Sequence, residues 1–155
     1  MSTHTLIEAI TLSSSASSVT FSSIPTDGTY RDLILIAEGD TGLYSFEWRL
    51  NGSTSSRNRV SMEGNGTSTQ SVTATDGSLI NYTVDNKWLL SFQVFDYNQT
   101  DKHKSIIARI SDSDKVVAAS ANRWGSSNAV NSLSLYATGT IFAAGSTFLL
   151  YGIEA

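Results

Sequence analysis

The chain has 155 residues, with ten Lys and Arg against fourteen Asp and Glu for a net charge of −4, only 15% charged residues and no cysteine. That length suits one domain able to bury roughly 70% of its unfolded surface without covalent staples. The acidic balance excludes the clustered positive charge of a nucleic-acid surface, and the lack of cysteine excludes a disulfide scaffold, a thiol nucleophile and Cys-ligated metal sites.

In chain order, Met1 to Glu8 carries neither the basic nor the apolar region of a signal peptide, and no apolar run reaches the ~18–20 residues of a membrane span. The expectation is a chain made and assembled in a cytoplasm, with no membrane partner. Thr5–Leu12 reads as a first strand and the serine-rich Ser13–Ser18 as a loop rather than a linker. Val19–Ile24 is a second strand, ended by the single proline, Pro25, with Asp27-Gly28 as a turn. In Asp32–Ala37 the run Leu33–Ile36 is continuously apolar, which suits a central strand covered on both faces.

Alternation is clearest in Tyr44–Leu50, with Tyr44, Phe46, Trp48 and Leu50 on one side and Ser45, Glu47 and Arg49 on the other. Asn51-Gly52 follows at once, a strong hairpin signal that predicts a return strand at Ser56–Met62. Asn65-Gly66 repeats the turn chemistry. Asp76-Gly77 predicts a second hairpin between Ser71–Thr75 and Ser78–Val84. Further strands are expected at Trp88–Tyr97, Lys104–Ile110, Val116–Ala121, Ser132–Ala137, Thr140–Ala143 and Thr147–Ile153, with a polar loop from Asp96 to His103. Short β-rich segments without crossover helices predict an all-β fold, an antiparallel jelly-roll-like sandwich (or a barrel) of roughly 8–10 strands in one domain over 1–155. Phe46, Trp48, Phe92 and Phe148 are expected in its core.

Catalytic chemistry has little to work with. There are two histidines, His4 near the terminus and His103 in a polar loop, and no Gly-x-Ser-x-Gly elbow among the 26 serines. Asp112-Ser-Asp114 lacks the further ligands of a calcium loop and reads as a polar turn. Glu63–Thr67 has two glycines but no phosphate-binding pattern. Four Asn-x-Ser/Thr sequons, at Asn51, Asn65, Asn81 and Asn98, read as turn and strand chemistry in a chain so rich in these residues. No enzyme activity, cofactor or metal is expected. Trp124, in Asn122–Gly125, stands in a turn-like setting and is expected to reach the surface, as an edge cap or oligomer contact rather than a stacking platform for a sugar.

Two parts of the chain carry a family likeness. The opening, Leu6–Leu12 followed by Ser15–Pro25 and Thr29–Leu35, has the pattern leucine, serine-rich turn, Val-x-Phe-x-x-Ile-Pro, Tyr-x-x-Leu; the ending, Gly145–Ile153, runs into Leu-Tyr-Gly-Ile. Both resemble small virion structural proteins of tailed bacteriophages, cyanophages among them. Arg49–Gly52 occupies the place of an Arg-Phe-Asn-Gly hairpin found in some of them, and the rest of Gly39–Ala144 aligns with nothing specific. The resemblance implies a jelly-roll-like virion protein, most simply a capsid decoration (cement) protein. It would sit as a homotrimer on the outer head shell, with the major capsid protein as partner; the alternative is a receptor- or glycan-binding module of a tail fibre or spike. Contacts are expected at an extended N-terminal arm (Ser2, Thr3, His4, Thr5), the loop Tyr97–Lys104 (Asn98, His103) and the turn Asn122–Ser127 (Arg123, Trp124).

Overall fold

In the computed structural model, residues 3–40, 45–84 and 86–154 are described. Among them the chain forms eleven strands and no helix: β1 His4–Thr11, β2 Ser18–Phe21, β3 Tyr30–Asp40, β4 Ser45–Leu50, β5 Arg57–Gly64, β6 Thr69–Ala74, β7 Lys87–Phe95, β8 Lys104–Asp112, β9 Val117–Trp124, β10 Leu133–Thr138 and β11 Thr147–Glu154. An eight-stranded sheet runs β1-β11-β3-β7-β8-β9-β5-β6, a three-stranded sheet runs β2-β10-β4, and every pairing is antiparallel. The fold is an all-β antiparallel sandwich, compatible with a jelly roll.

The small sheet lies on one face of the large one. Phe46 and Trp48 of β4 meet Trp88 and Phe92 of β7 at ring-centroid distances of 4.9 and 6.0 Å. Phe46, Trp48, Phe92 and Phe148 are all fully buried, as their alternation predicts. Edge-on contacts continue through Phe142 to Phe148 at 5.0 Å, a geometry that adds to the hydrophobic gain of burial.

Both expected hairpins are absent. Asn51 and Gly52 do adopt positive φ, 50° and 69°, as the turn chemistry requires. The chain leaving that turn, however, crosses to the other sheet: β4 pairs with β10, whereas β5 pairs with β6 and β9. The Asn51 side chain explains the redirection. Its Nδ2 donates to the carbonyl of Ala129 at 2.8 Å, and its Oδ1 accepts from the backbone N–H groups of Asn131 and Ser132. The turn is thus held by a distant segment rather than by its own return strand. Arg57, the first residue of β5, is buried and donates to the Trp48 carbonyl at 2.6 Å and to Glu47 at 2.8 Å, linking the layers.

Ser78–Val84 is likewise no strand. Ser78 makes one bridge to Glu47, and the segment then drops inward, with Leu79, Ile80 and Val84 fully buried. It fills the space over β5 that three strands cannot cover. Thr140–Ala143 shrinks to a single bridge between Phe142 and Ala16, and Phe142 is spent on the core. The serine-rich stretch is a loop pinned by that bridge, as expected. The expected N-terminal arm is replaced by an edge strand, because His4 and Thr5 pair with Ile153 and Gly152 of β11. Tyr44 lies outside the described residues.

The stretches quoted for the virion likeness lie side by side, since β1, β11 and β3 are consecutive in the large sheet. Tyr30 and Gly152, one from each end of the chain, touch: a Cβ on Gly152 would fall 2.3 Å from Cγ of the Tyr30 ring. Gly152→Ala is expected to force the ring away and cost about 1–3 kcal/mol, read as a lowered melting temperature. A second prediction concerns acid. Burial pushes the Glu47 carboxyl up, but hydrogen bonds from Arg49 and Arg57 and their charges outweigh it, so the group sits below its ordinary 4.5. Its stabilising effect is present above that value and lost as pH falls through the lower folded pKa. Glu47→Gln should therefore flatten the acid limb of a stability–pH curve.

Candidate docking surface

The surface that stands out follows from a mismatch of layers. Three strands and a crossing segment cover one face of an eight-stranded sheet, and among the described residues no element covers the other. Side chains alternate across a pleated strand, so the register fixes which residues occupy that open face. One cross-strand row runs Leu6, Tyr151, Ile34, Gln93, Ile107, Ala121, Val60. The next runs Ala9, Leu149, Ile36, Ser91, Arg109, Ala119, Met62.

This face carries strongly exposed large apolar residues. Exposure is 48% for Ile107, 55% for Val60, 60% for Val117 and 71% for Met62. The alternation of β5 is inverted relative to a sheet with one wet face. Arg57, Arg59, Ser61 and Glu63 point inward and are buried, whereas Val60 and Met62 point out. The inward polar groups bond one another and the crossing segment: Arg59 donates to Glu63 at 3.2 Å and to Asn81 at 2.8 Å, and Glu63 accepts from Ser61 at 2.6 Å, while the buried Nε atoms of Arg57 and Arg59 have no partner. The run Leu33–Ile36 belongs to the same pattern. Leu33 and Leu35 are buried beneath the small sheet, while Ile34 and Ile36 are half-buried on the open side. Strands apolar on both faces are typical of sheets covered on both sides.

The alanines of β9 form a low strip between taller neighbours on β5 and β8. Over it lie shallow grooves, one of about 600 Å³ reaching Met62, Arg109 and Ala119, another bounded by Val60, Ile107 and Ala121. Neither holds a catalytic pair or a cluster of metal ligands, and among the described residues no group of three or more His, Asp or Glu could hold a metal ion. The geometry of the face offers contact area.

The residues expected to make contacts divide. Ser2 lies outside the described residues. Thr3 is exposed and its carbonyl accepts from the Glu154 N–H at 3.2 Å, His4 is exposed in β1, and the half-buried Thr5 bonds Glu154. At one end of the large sheet His103 and Arg123 do come together: Nη2 of Arg123 lies 2.6 Å from Nδ1 of His103, and Nη1 donates to Asn58 at 3.1 Å. Arginine can only donate, so Nδ1 of His103 accepts and the imidazole proton sits on Nε2. Asn98 is half-buried in the same loop. Trp124 departs from expectation. It is the last residue of β9, 4% exposed and part of the core, because pairing with both Arg57 and Lys104 draws it inside. Asp112 forms the expected polar turn, its Oδ1 accepting from the N–H groups of residues 114, 115 and 116.

Lys104 was not singled out by its sequence context, a run of charged loop residues. It is buried, and its ammonium donates to the carbonyls of Gln99, Lys102 and Ser127, tying the two loops at this end. Burial, partly opposed by the charges of Asp101 and Asp96, lowers its pKa. Lys104→Met keeps the stem but leaves those carbonyls without their cation. It is expected to cost about 1–3 kcal/mol, and hydrogen exchange should quicken at 99–103 and 126–128 with little change in β3 and β7.

Comparisons with known proteins give no family. No protein-family profile matches the chain, and no curated protein matches it. One similar solved structure is an alginate lyase in complex with alginate trisaccharide, 8% identical over 94% of this chain and 78% of that one, with a TM-score of 0.29. That likeness carries no argument about what this chain does.

Proposed function

We propose that this chain is a non-catalytic structural protein of a tailed-phage particle, a capsid decoration protein that strengthens the head shell by burying surface against its neighbours. The observation that carries this reading is the uncovered apolar face of the eight-stranded sheet, with Val60, Met62, Ile107 and Val117 turned outward while Arg59 and Glu63 are turned in. A strand that spends its polar residues inside and its apolar residues outside, as β5 does, is built to be covered. The end motifs that resemble virion proteins add the particle as the setting, and the major capsid protein as the partner. The loop end with His103, Arg123 and Asn98 supplies a polar contact beside the apolar face. Assembly would take place in the bacterial cytoplasm, and the protein would work as a homo-oligomer whose repeated contacts raise the effective concentration of each.

The glycan-binding reading is less well supported. The indole that could have served as its stacking platform, Trp124, is buried, as are Trp48 and Trp88.

Purified chain mixed with undecorated heads is expected to bind saturably and stoichiometrically, and Ile107→Asp on the open face is expected to weaken binding at least tenfold while the melting temperature of the chain diluted to a monomer stays unchanged. Absence of binding to heads, or specific capture of a saccharide on a glycan array, would overturn the proposal.

A further inference from the structure

We propose that the open face of the eight-stranded sheet packs against the same face of a second copy of this chain, about a two-fold axis running along β7. The inference rests on the reading of that face as a docking surface, gives a second copy as its occupant, and leaves the loop end with His103, Arg123 and Asn98 to meet the head shell.

Three features of the face favour a copy of itself. The first is relief. A rotation about an axis lying along β7 places β8 over β3, and β9 over β11, of the second copy, each cross-strand row staying opposite itself. The small side chains of Ala119 and Ala121 then face Leu149 and Tyr151 of the second copy, and the reverse contact forms by symmetry. A low strip in each copy receives a high strip from the other, the self-complementarity that a two-fold interface demands.

The second feature is charge. Glu38 and Arg109 lie on opposite sides of β7 on the same face, one cross-strand row apart. Two residues along a strand span about 7 Å, within the reach of an arginine side chain. The rotation therefore sets Glu38 of each copy near Arg109 of the other, giving two symmetric ion pairs across the interface. At the axis Ser91 and Gln93 of β7 meet their own counterparts, and both are groups that donate and accept.

The third feature is area. Seven strands from β1 to β5 at ~4.8 Å spacing, six residues deep, present a face of about 34 by 20 Å, so two copies bury on the order of 1,400 Å². That lies within the range of stable, specific interfaces of about 1,200–2,000 Å², which a short peptide in one groove would not reach.

Sedimentation velocity of the full chain at micromolar concentration should give twice the 16.7 kDa chain mass. Glu38→Arg and Arg109→Glu should each weaken the dimer roughly tenfold by setting like charges together, and the double variant should recover affinity. Because the chain has no cysteine, Ser91→Cys supplies a lone thiol beside the axis. Facing sheets lie about 10 Å apart, too far for a direct disulfide, so a short bismaleimide should link it to itself, while Thr54→Cys, in the turn between the sheets, should stay unlinked. A monomer throughout, a trimer, charge reversals that act without mutual rescue, or no link through Ser91→Cys would each overturn the two-fold pairing. If the pairing fails but Ile107→Asp still loses head binding, the docking face stands with a different occupant; if head binding by the wild-type chain fails while the dimer forms, the functional reading falls and the pairing stands.

Discussion

The constraint on which the rest depends is geometric: a three-stranded sheet cannot cover an eight-stranded one. The small sheet and the segment through Leu79, Ile80 and Val84 seal one face of the large sheet. Nothing in the described chain seals the other. Apolar burial is the main favourable contribution to folding and to most association, so an apolar face left open by folding is a reservoir for association. Function, on this view, begins where intramolecular packing ends.

The same constraint explains the polar interior of β5. Beyond Arg57, which reaches β4, β5 is covered by an irregular segment whose backbone groups need partners. Glu63 accepts from the backbone N–H of Asn81 at 3.0 Å, and Arg59 and Ser61 hold Glu63 in place. A buried ion pair of this kind adds little net stability over an apolar replacement. Its role here is to fix the path of the segment from β6 to β7, which in turn leaves Val60 and Met62 facing outward.

Much of the architecture was legible in the residues. Period-two alternation located nearly all strands, and the buried face of Phe46, Trp48 and Leu50 follows from it directly. What was not legible was strand partnership. Asn51-Gly52 has the backbone of a tight turn, yet the contacts of its Asn51 side chain with residues 129–132 send the next strand to the other sheet, and a local motif cannot encode a partner eighty residues away. Ser78–Val84 has strand-like composition because buried packing segments and strands draw on the same residues. Trp124 was misplaced because Gly125 beside it suggested a turn, whereas pairing with two strands carries it inside. The open face had a signal that went unused: Leu33–Ile36 was read as covered on both sides, and the same double-sided pattern recurs in Leu89-Leu90, Ile106-Ile107 and Leu149-Leu150. Taken together, those runs point to a second layer that the chain itself does not supply.

The central claim is that the open face is covered in the working assembly. Met62, the most exposed large apolar residue on it at 71%, reports this directly through its rate of oxidation by dilute peroxide, compared between the chain diluted to a monomer and the chain in its native assembly. Strong protection of Met62 in the assembly is the expected result. Equal oxidation in the two states would contradict the claim.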